Sequence, residues 1–218
     1  MGKRVFSLLI LFVILTSFLS FCCAEQFDFP DLYKVEIDRS GREIIVPHYA
    51  VREIKQATKI GVIHGYDDGT FKPYDSIKRS EFLKMLIVLA TNRSFDFESV
   101  ISDYSRWWGK YVTIAEMQGI VDKNQFTLDE WEEPITRLEA VMMLSKTQIR
   151  MKSIEQNRLG RIDYYTDIDS LTEDEKALLK HAVKYDLLEG MLDGSVDKFE
   201  PNKQFTRGEA AAALMRIY

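Results

Sequence analysis

Three arginines stand where a helix should begin. Arg79 lies in Ile77-Lys78-Arg79-Ser80-Glu81, Arg137 in Ile135-Thr136-Arg137-Leu138-Glu139, and Arg207 in Phe205-Thr206-Arg207-Gly208-Glu209. A threonine followed three residues later by glutamate has the form of a capping box: the hydroxyl accepts the N3 amide, and the carboxylate reaches back to the cap amide. This pattern predicts helix starts at Thr136 and Thr206 and makes both glutamates structural. In the first copy Lys78 replaces the threonine, so the box is incomplete. The arginine needs a separate explanation, because a cation in the first turn opposes the helix macrodipole. Two readings are open. A guanidinium beside free helix-start amides is a receptor for a carboxylate or phosphate, since bidentate charge-assisted bonds and the dipole then act together. Alternatively, each arginine pairs with a neighbouring acid.

The elements that must position these arginines recur with them. Four residues before Gly61, Gly119 and Asp186 stand Ala57, Ala115 and Ala182, and seven before stand Ile54, Val112 and Leu179. Those spacings place them on one stripe of a helix, which the glycines then close. Val62-Ile63, Ile120-Val121 and Leu187-Leu188 follow directly. Seven residues after each arginine come Leu86, Leu144 and Leu214. Agreement at so many independent offsets identifies a triple repeat with linkers of unequal length. One helix pair cannot bury both of its apolar faces, whereas three pairs around an axis can. The expected fold is therefore mainly α, a pseudo-threefold bundle of three helix-loop-helix repeats. Ahead of it, Val35-Glu36-Ile37 and residues 43–46 flank Ser40-Gly41 and predict a short β-hairpin near the N-terminus. The expected boundaries are a leader at 1–24, an N-terminal segment at 25–47, repeats at 48–92, 99–149 and 164–218, and a linker at 150–163.

With 218 residues, 46% of them hydrophobic, the chain can bury a substantial core. Residues 1–24 are of another kind. Lys3 and Arg4 precede an apolar run over 5–21 that ends in small residues, the pattern of a secretory signal cleaved after Ala24. A retained anchor is the competing reading, although spanning helices usually need about 20 apolar residues. Lipid attachment at Cys22 or Cys23 is disfavoured by Phe21. Both cysteines lie in the leader, so a cleaved chain has neither disulfides nor thiol chemistry. Removing the leader takes two of the 29 basic residues and none of the 34 acidic ones, leaving a net charge of −7. That balance argues against general binding of nucleic acid or anionic membrane, and after cleavage no membrane span is expected.

Residues 61–73 read Gly-Val-Ile-His-Gly-Tyr-Asp-Asp-Gly-Thr-Phe-Lys-Pro and precede the first arginine motif. Together they resemble the S-layer homology (SLH) repeat, whose Thr-Arg-Ala-Glu signature is represented by residues 136–139 and 206–209. Ser102, Asp103 and Tyr104 with Trp107 and Trp108, and Thr166-Asp167-Ile168, resemble the start of such a repeat. The resemblance implies three repeats whose grooves bind secondary cell-wall polysaccharide, often bearing a pyruvate ketal, in an exported protein of the cell wall or cell surface. It implies ligand contacts from Arg79, Arg137, Arg207, Asp103, Asp167, Gly61, Gly119 and Trp108. Asp186, in place of the third glycine, adds bulk and negative charge, so unequal grooves are expected. Asp28 or Asp31 is the candidate initial aspartate of the first repeat. The competing function is a structural or assembly protein that binds another envelope protein or peptidoglycan.

Other signals in the sequence carry less. Trp108 could stack on a sugar, but it occupies the position of Ala50, and aromatics at helical spacing usually belong to the core; Trp107 and Trp131 are weaker candidates. His48, His64 and His181 lack the spacing of a metal site or a catalytic triad. Asp67-Asp68-Gly69 lacks the ligand spacing of a calcium loop and reads as a turn. Glu130, Glu132 and Glu133 form a solvated acidic run rather than a catalytic carboxylate pair. No enzymatic activity, metal or cofactor is expected.

Overall fold

The computed structural model describes residues 28–91, 96–102, 104–152, 161–187 and 197–218. The leader, Asp103 and much of the 150–163 linker lie outside the described residues. Among those described, six α-helices accompany one two-stranded antiparallel sheet. The hairpin pairs β1 (Tyr33–Ile37) with β2 (Glu43–Pro47), as the Ser40-Gly41 turn predicts. The helices are α1 (Val51–Lys59), α2 (Arg79–Ala90), α3 (Gly109–Met117), α4 (Arg137–Lys152), α5 (Glu173–Lys184) and α6 (Arg207–Ile217). The chain is thus mainly α, and no described helix is long and apolar enough to cross a membrane.

The helices fall into two classes by what surrounds them. On α1 only Ile54, Ala57 and Thr58 are buried, the single stripe of a peripheral helix. On α6 nearly every residue is buried, including the run Ala210, Ala211, Ala212 and Ala213, as a helix enclosed on all sides requires. Helices α2, α4 and α6 pack on one another at the centre. Each also carries a peripheral helix: α3 packs on α2 and α5 on α4, each the next helix along the chain, while α1, from the start of the chain, packs on α6 at its end. The contacts therefore close in a cycle.

Hydrogen bonds draw the same cycle at the helix starts. Ile77 N–H donates to Phe205 C=O, Phe205 N–H to Ile135 C=O, and Ile135 N–H to Ile77 C=O, each at 2.9 Å. All three side chains are fully buried, with Phe82 meeting Phe205 edge-on at 5.9 Å. Burial obliges the three backbone segments to satisfy one another, because no water reaches them. The arginine amides complete the junctions: Arg79 N–H donates to Glu133 C=O, Arg137 N–H to Lys203 C=O, and Arg207 N–H to Asp75 C=O.

The peripheral helices end alike. Val62 N–H bonds Ala57 C=O, Ile120 N–H bonds Ala115 C=O, and Leu187 N–H bonds Ala182 C=O, the six-to-one bond of a Schellman cap. The cap needs a left-handed residue, which Gly61 supplies at φ 61°, Gly119 at 67° and Asp186 at 54°. Asp186 thus holds the same conformation as the glycines, at the energetic cost of a side chain there.

Candidate functional site

The capping boxes form as the sequence predicts. Thr136 N–H donates to Glu139 Oε2 at 2.9 Å, and Thr206 N–H to Glu209 Oε2 at 2.7 Å, with both hydroxyls accepting in return. At the first start Glu81 Oε2 still accepts from Lys78 N–H at 3.2 Å. A lysine ammonium cannot accept a hydrogen bond, so only this half of the box exists. A further box, Thr172 with Glu175, starts α5.

Each arginine turns away from its own helix toward the next segment of the cycle. Arg79 grips Glu139 with Nε and one terminal nitrogen, both at 2.9 Å, and its other terminal nitrogen donates to Glu130 C=O. Arg137 donates to Glu209 Oε1 at 3.3 Å and to Phe199 C=O at 3.1 Å. The capping glutamates therefore also serve as partners for arginines 60 and 72 positions earlier in the chain. Of the two open readings, that of a guanidinium left free for a ligand does not describe these arginines: the Arg79 side chain is 13% exposed, and that of Arg137 only 1%. The acid-pairing reading accounts for both.

Arg207 breaks the pattern. Nε donates to Phe71 C=O at 3.0 Å and one terminal nitrogen to His64 C=O at 2.9 Å, while the guanidinium lies over Tyr66 and Phe71. No carboxylate among the described residues forms an ion pair with it, although the residue is 4% exposed. Glu81 stands where the cycle would place its partner and lines the same cavity without reaching it. That cavity, about 170 Å³, is walled by Val62, Ile63, His64, Glu81, Lys84, Met85, Trp107 and Arg207. It is smaller than the 300–1,000 Å³ typical of drug-sized sites.

The other expected ligand residues are placed differently. Trp108 is fully buried, and its indole N–H donates to Glu132 Oε1 at 2.6 Å, which puts the ring out of a ligand's reach. Its neighbour Trp107 is 52% exposed, with Lys84 Nζ over the ring at 5.7 Å. The sequence held the clue: Trp108 precedes Val112 and Ala115 by four and seven residues and so belongs to their buried stripe. Asp167 accepts from Phe199 N–H and Glu200 N–H, bracing a loop. Asp31 makes the same bonds to Phe71 N–H and Lys72 N–H, which identifies it, rather than Asp28, as the first counterpart. Gly119 is a helix cap with open space where a Cβ would stand. Gly61 caps α1 immediately before the Val62 and Ile63 wall of the cavity. Neither Lys84 nor His64 has a counterpart in the other two copies, so no spacing in the sequence marks them as lining the cavity.

His48 anchors the start of α1 against α6. It is 4% exposed, its Nδ1 accepts from Ala50 N–H, and a Cβ on Gly208 would come within 2.7 Å of its ring. Burial pushes its imidazole below the ordinary value; Lys34 acts in the same direction, and Asp31 opposes. Gly208 has no room for a methyl, because His48 and Pro73 C=O occupy the space a Cβ would need. Among the described residues no cluster of three or more potential metal ligands occurs. Asp68 accepts from Thr70 N–H and Oγ1, as expected of a turn.

Comparison with known proteins gives this geometry a context. Residues 45–83 match the S-layer homology domain, which takes in the end of β2, α1, the loop bearing Tyr66 and the start of α2. Cell surface glycoprotein 1 of Acetivibrio thermocellus is 30% identical over 114 residues, 50% of this chain. Exoglucanase XynX of the same organism is 22% identical over 156 residues, 70% of this chain. The chain spans 5% and 14% of the length of these two relatives.

Proposed function

We propose that this chain is a non-catalytic anchoring module of the cell surface that binds secondary cell-wall polysaccharide at the cavity between the α1–α2 and α6 segments. The carrying observation is Arg207, a nearly buried guanidinium that meets two carbonyls and no carboxylate at the wall of a cavity rimmed by Lys84, His64 and Trp107. A desolvated cation with unused donor capacity favours an anionic group, and an exposed tryptophan beside it offers a flat apolar face for a sugar ring. The acidic substituent of a wall polymer, such as a pyruvate ketal, meets both demands. The cyclic helix contacts and the ring of helix-start hydrogen bonds support reading the body as three SLH repeats, of which the match at 45–83 covers part of the first. In this reading Arg79 and Arg137 hold neighbouring repeats together, and Arg207, Lys84 and Trp107 hold the ligand. An export leader at 1–24 fits the same role.

The reading is tested by pull-down on isolated cell walls before and after the secondary polymer is stripped. Binding that disappears on stripping supports it, and binding that survives rejects it. A second reading, an envelope assembly protein, draws on the closure of Arg79 and Arg137 by internal acids, which is what a scaffold requires. Retained binding to stripped walls would favour it.

A further inference from the structure

The β-hairpin touches the helical body through Tyr33, which accepts from Lys55, and Lys34, which lies over Tyr74, and is otherwise poorly covered. Val35 and Ile37 are each 66% exposed and Ile45 is 71% exposed. Val35 faces Ile45 directly across the ladder, with Ile37 two residues further along the same face, so these side chains form one apolar strip. An isolated two-stranded hairpin is marginal in water, and a third or fourth strand over such a strip would stabilise it.

The ladder shows which edge is free to pair. His48 N–H donates to Leu32 C=O, and Asp38 N–H to Arg42 C=O, one at each end of the hairpin. Antiparallel pairs alternate between bonded and non-bonded, so Lys34 and Glu36 turn their backbone groups toward β2, while Val35 and Ile37 turn theirs outward. No other described segment takes a backbone hydrogen bond from Val35 or Ile37. On the opposite edge Pro47 has no N–H to offer, which blunts β2 for pairing. The open edge is β1.

From these observations we infer that β1 pairs antiparallel with β1 of a second copy of this chain, centred on Val35, to make a four-stranded sheet. Tyr33-Lys34-Val35-Glu36-Ile37 is self-complementary in this register. Val35 exchanges both backbone bonds with its symmetry mate, and Ile37 N–H donates to the partner's Tyr33 C=O. Lys34 then lies opposite the partner's Glu36 in a non-hydrogen-bonded pair, where side chains approach most closely. The two-fold relation repeats that ion pair, so the interface is isologous and closes at the dimer. In the single chain Lys34 Nζ rests 4.3 Å over the Tyr74 ring, and Glu36 has no ion pair or hydrogen bond among the described residues. A one-residue slip would oppose the charges to apolar residues and divide the apolar strip between two faces.

The test is sedimentation velocity of the full chain in mild detergent over a wide concentration range. Wild type should pass from monomer to dimer. Lys34→Glu and Glu36→Lys should each raise the dissociation constant roughly tenfold or more, since each places two like-charged pairs across the interface. An equimolar mixture of the two variants should recover dimerisation as a heterodimer, and the double variant Lys34→Glu/Glu36→Lys should recover it alone. Unchanged far-UV circular dichroism would verify folding. Wild type that stays monomeric throughout overturns the inference. So does a dimer indifferent to both single variants, as one held by residues 1–24 or by another face would be.

Discussion

At one junction of the cycle Arg137 meets Glu209, both nearly buried; at another Arg207, equally buried, meets only carbonyl oxygens. The two arginines occupy the same place in the same motif, and their different neighbours give them different work. Where the next segment supplies a capping glutamate within reach, the guanidinium is neutralised and the junction closes. Where Glu81 falls short and the loop bearing Tyr66 intercepts the side chain, the positive charge remains and a cavity stays open beside it. A repeated residue therefore marks a repeated position, and its charge balance is decided by whatever the cycle brings to meet it.

The strongest way to break the comparison is to remove each arginine in turn. Arg137→Ala leaves Glu209 buried without its cation and should cost about 3–5 kcal/mol of stability in urea unfolding. Arg207→Ala leaves two carbonyls short of a donor and should cost about 1–3 kcal/mol. Equal losses would show that the junctions do not differ. The Arg207 junction can also be overfilled: Gly208→Ala drives a methyl against His48 and Pro73 C=O and should cost about 1–3 kcal/mol by the same measurement, whereas a neutral result would mean the contact relaxes freely.

Ligand binding sharpens the comparison further. Lys84→Ala and Trp107→Ala should each weaken binding to polymer-bearing walls about tenfold, with changes in stability within about 0.5 kcal/mol. Arg79→Ala should lower the melting temperature and leave the affinity of the folded protein unchanged. Reversal of those two patterns would move the binding site to the junction closed by Arg79. Asp186→Gly relieves a non-glycine left-handed residue and should raise stability by up to about 1 kcal/mol in thermal unfolding.

Acid should act on the contacts of α1 with α6 and of α4 with α5. His48 and His181 are both buried with imidazoles held below the ordinary value, chiefly by desolvation. A depressed histidine is neutral in the folded chain, so its contribution is fully present above the unfolded value near 6.5 and is lost as pH falls through it toward the folded value. Urea midpoints should accordingly fall between neutrality and about pH 5, before the carboxylates titrate. His48→Gln should flatten part of that fall, and no change in slope would show that His48 is not its source.

Much of the local architecture was readable from spacing. The capping boxes at Thr136 and Thr206, the glycine helix ends, the hairpin around Ser40-Gly41 and the stripe through Ile54 and Ala57 all stand as the pattern predicts. Trp108 was equally readable: its helical spacing and its match to Ala50 place it in the core, against the ligand contact that the resemblance implies. Asp31 was not, because the hairpin separates it from α1 and only its bonds to Phe71 and Lys72 reveal its role.

The chain alone determined where helices start, where they stop and which face of each is apolar, since those outcomes depend on residues three, four and seven apart. The folded body decided which guanidinium would be neutralised and which left open. That outcome rests on groups 60 to 143 positions away, brought within 3.3 Å by the closing of the cycle. A hydrogen bond of that span leaves no periodic trace in the residues around it, because its geometry is set by how the helices pack rather than by how one of them turns.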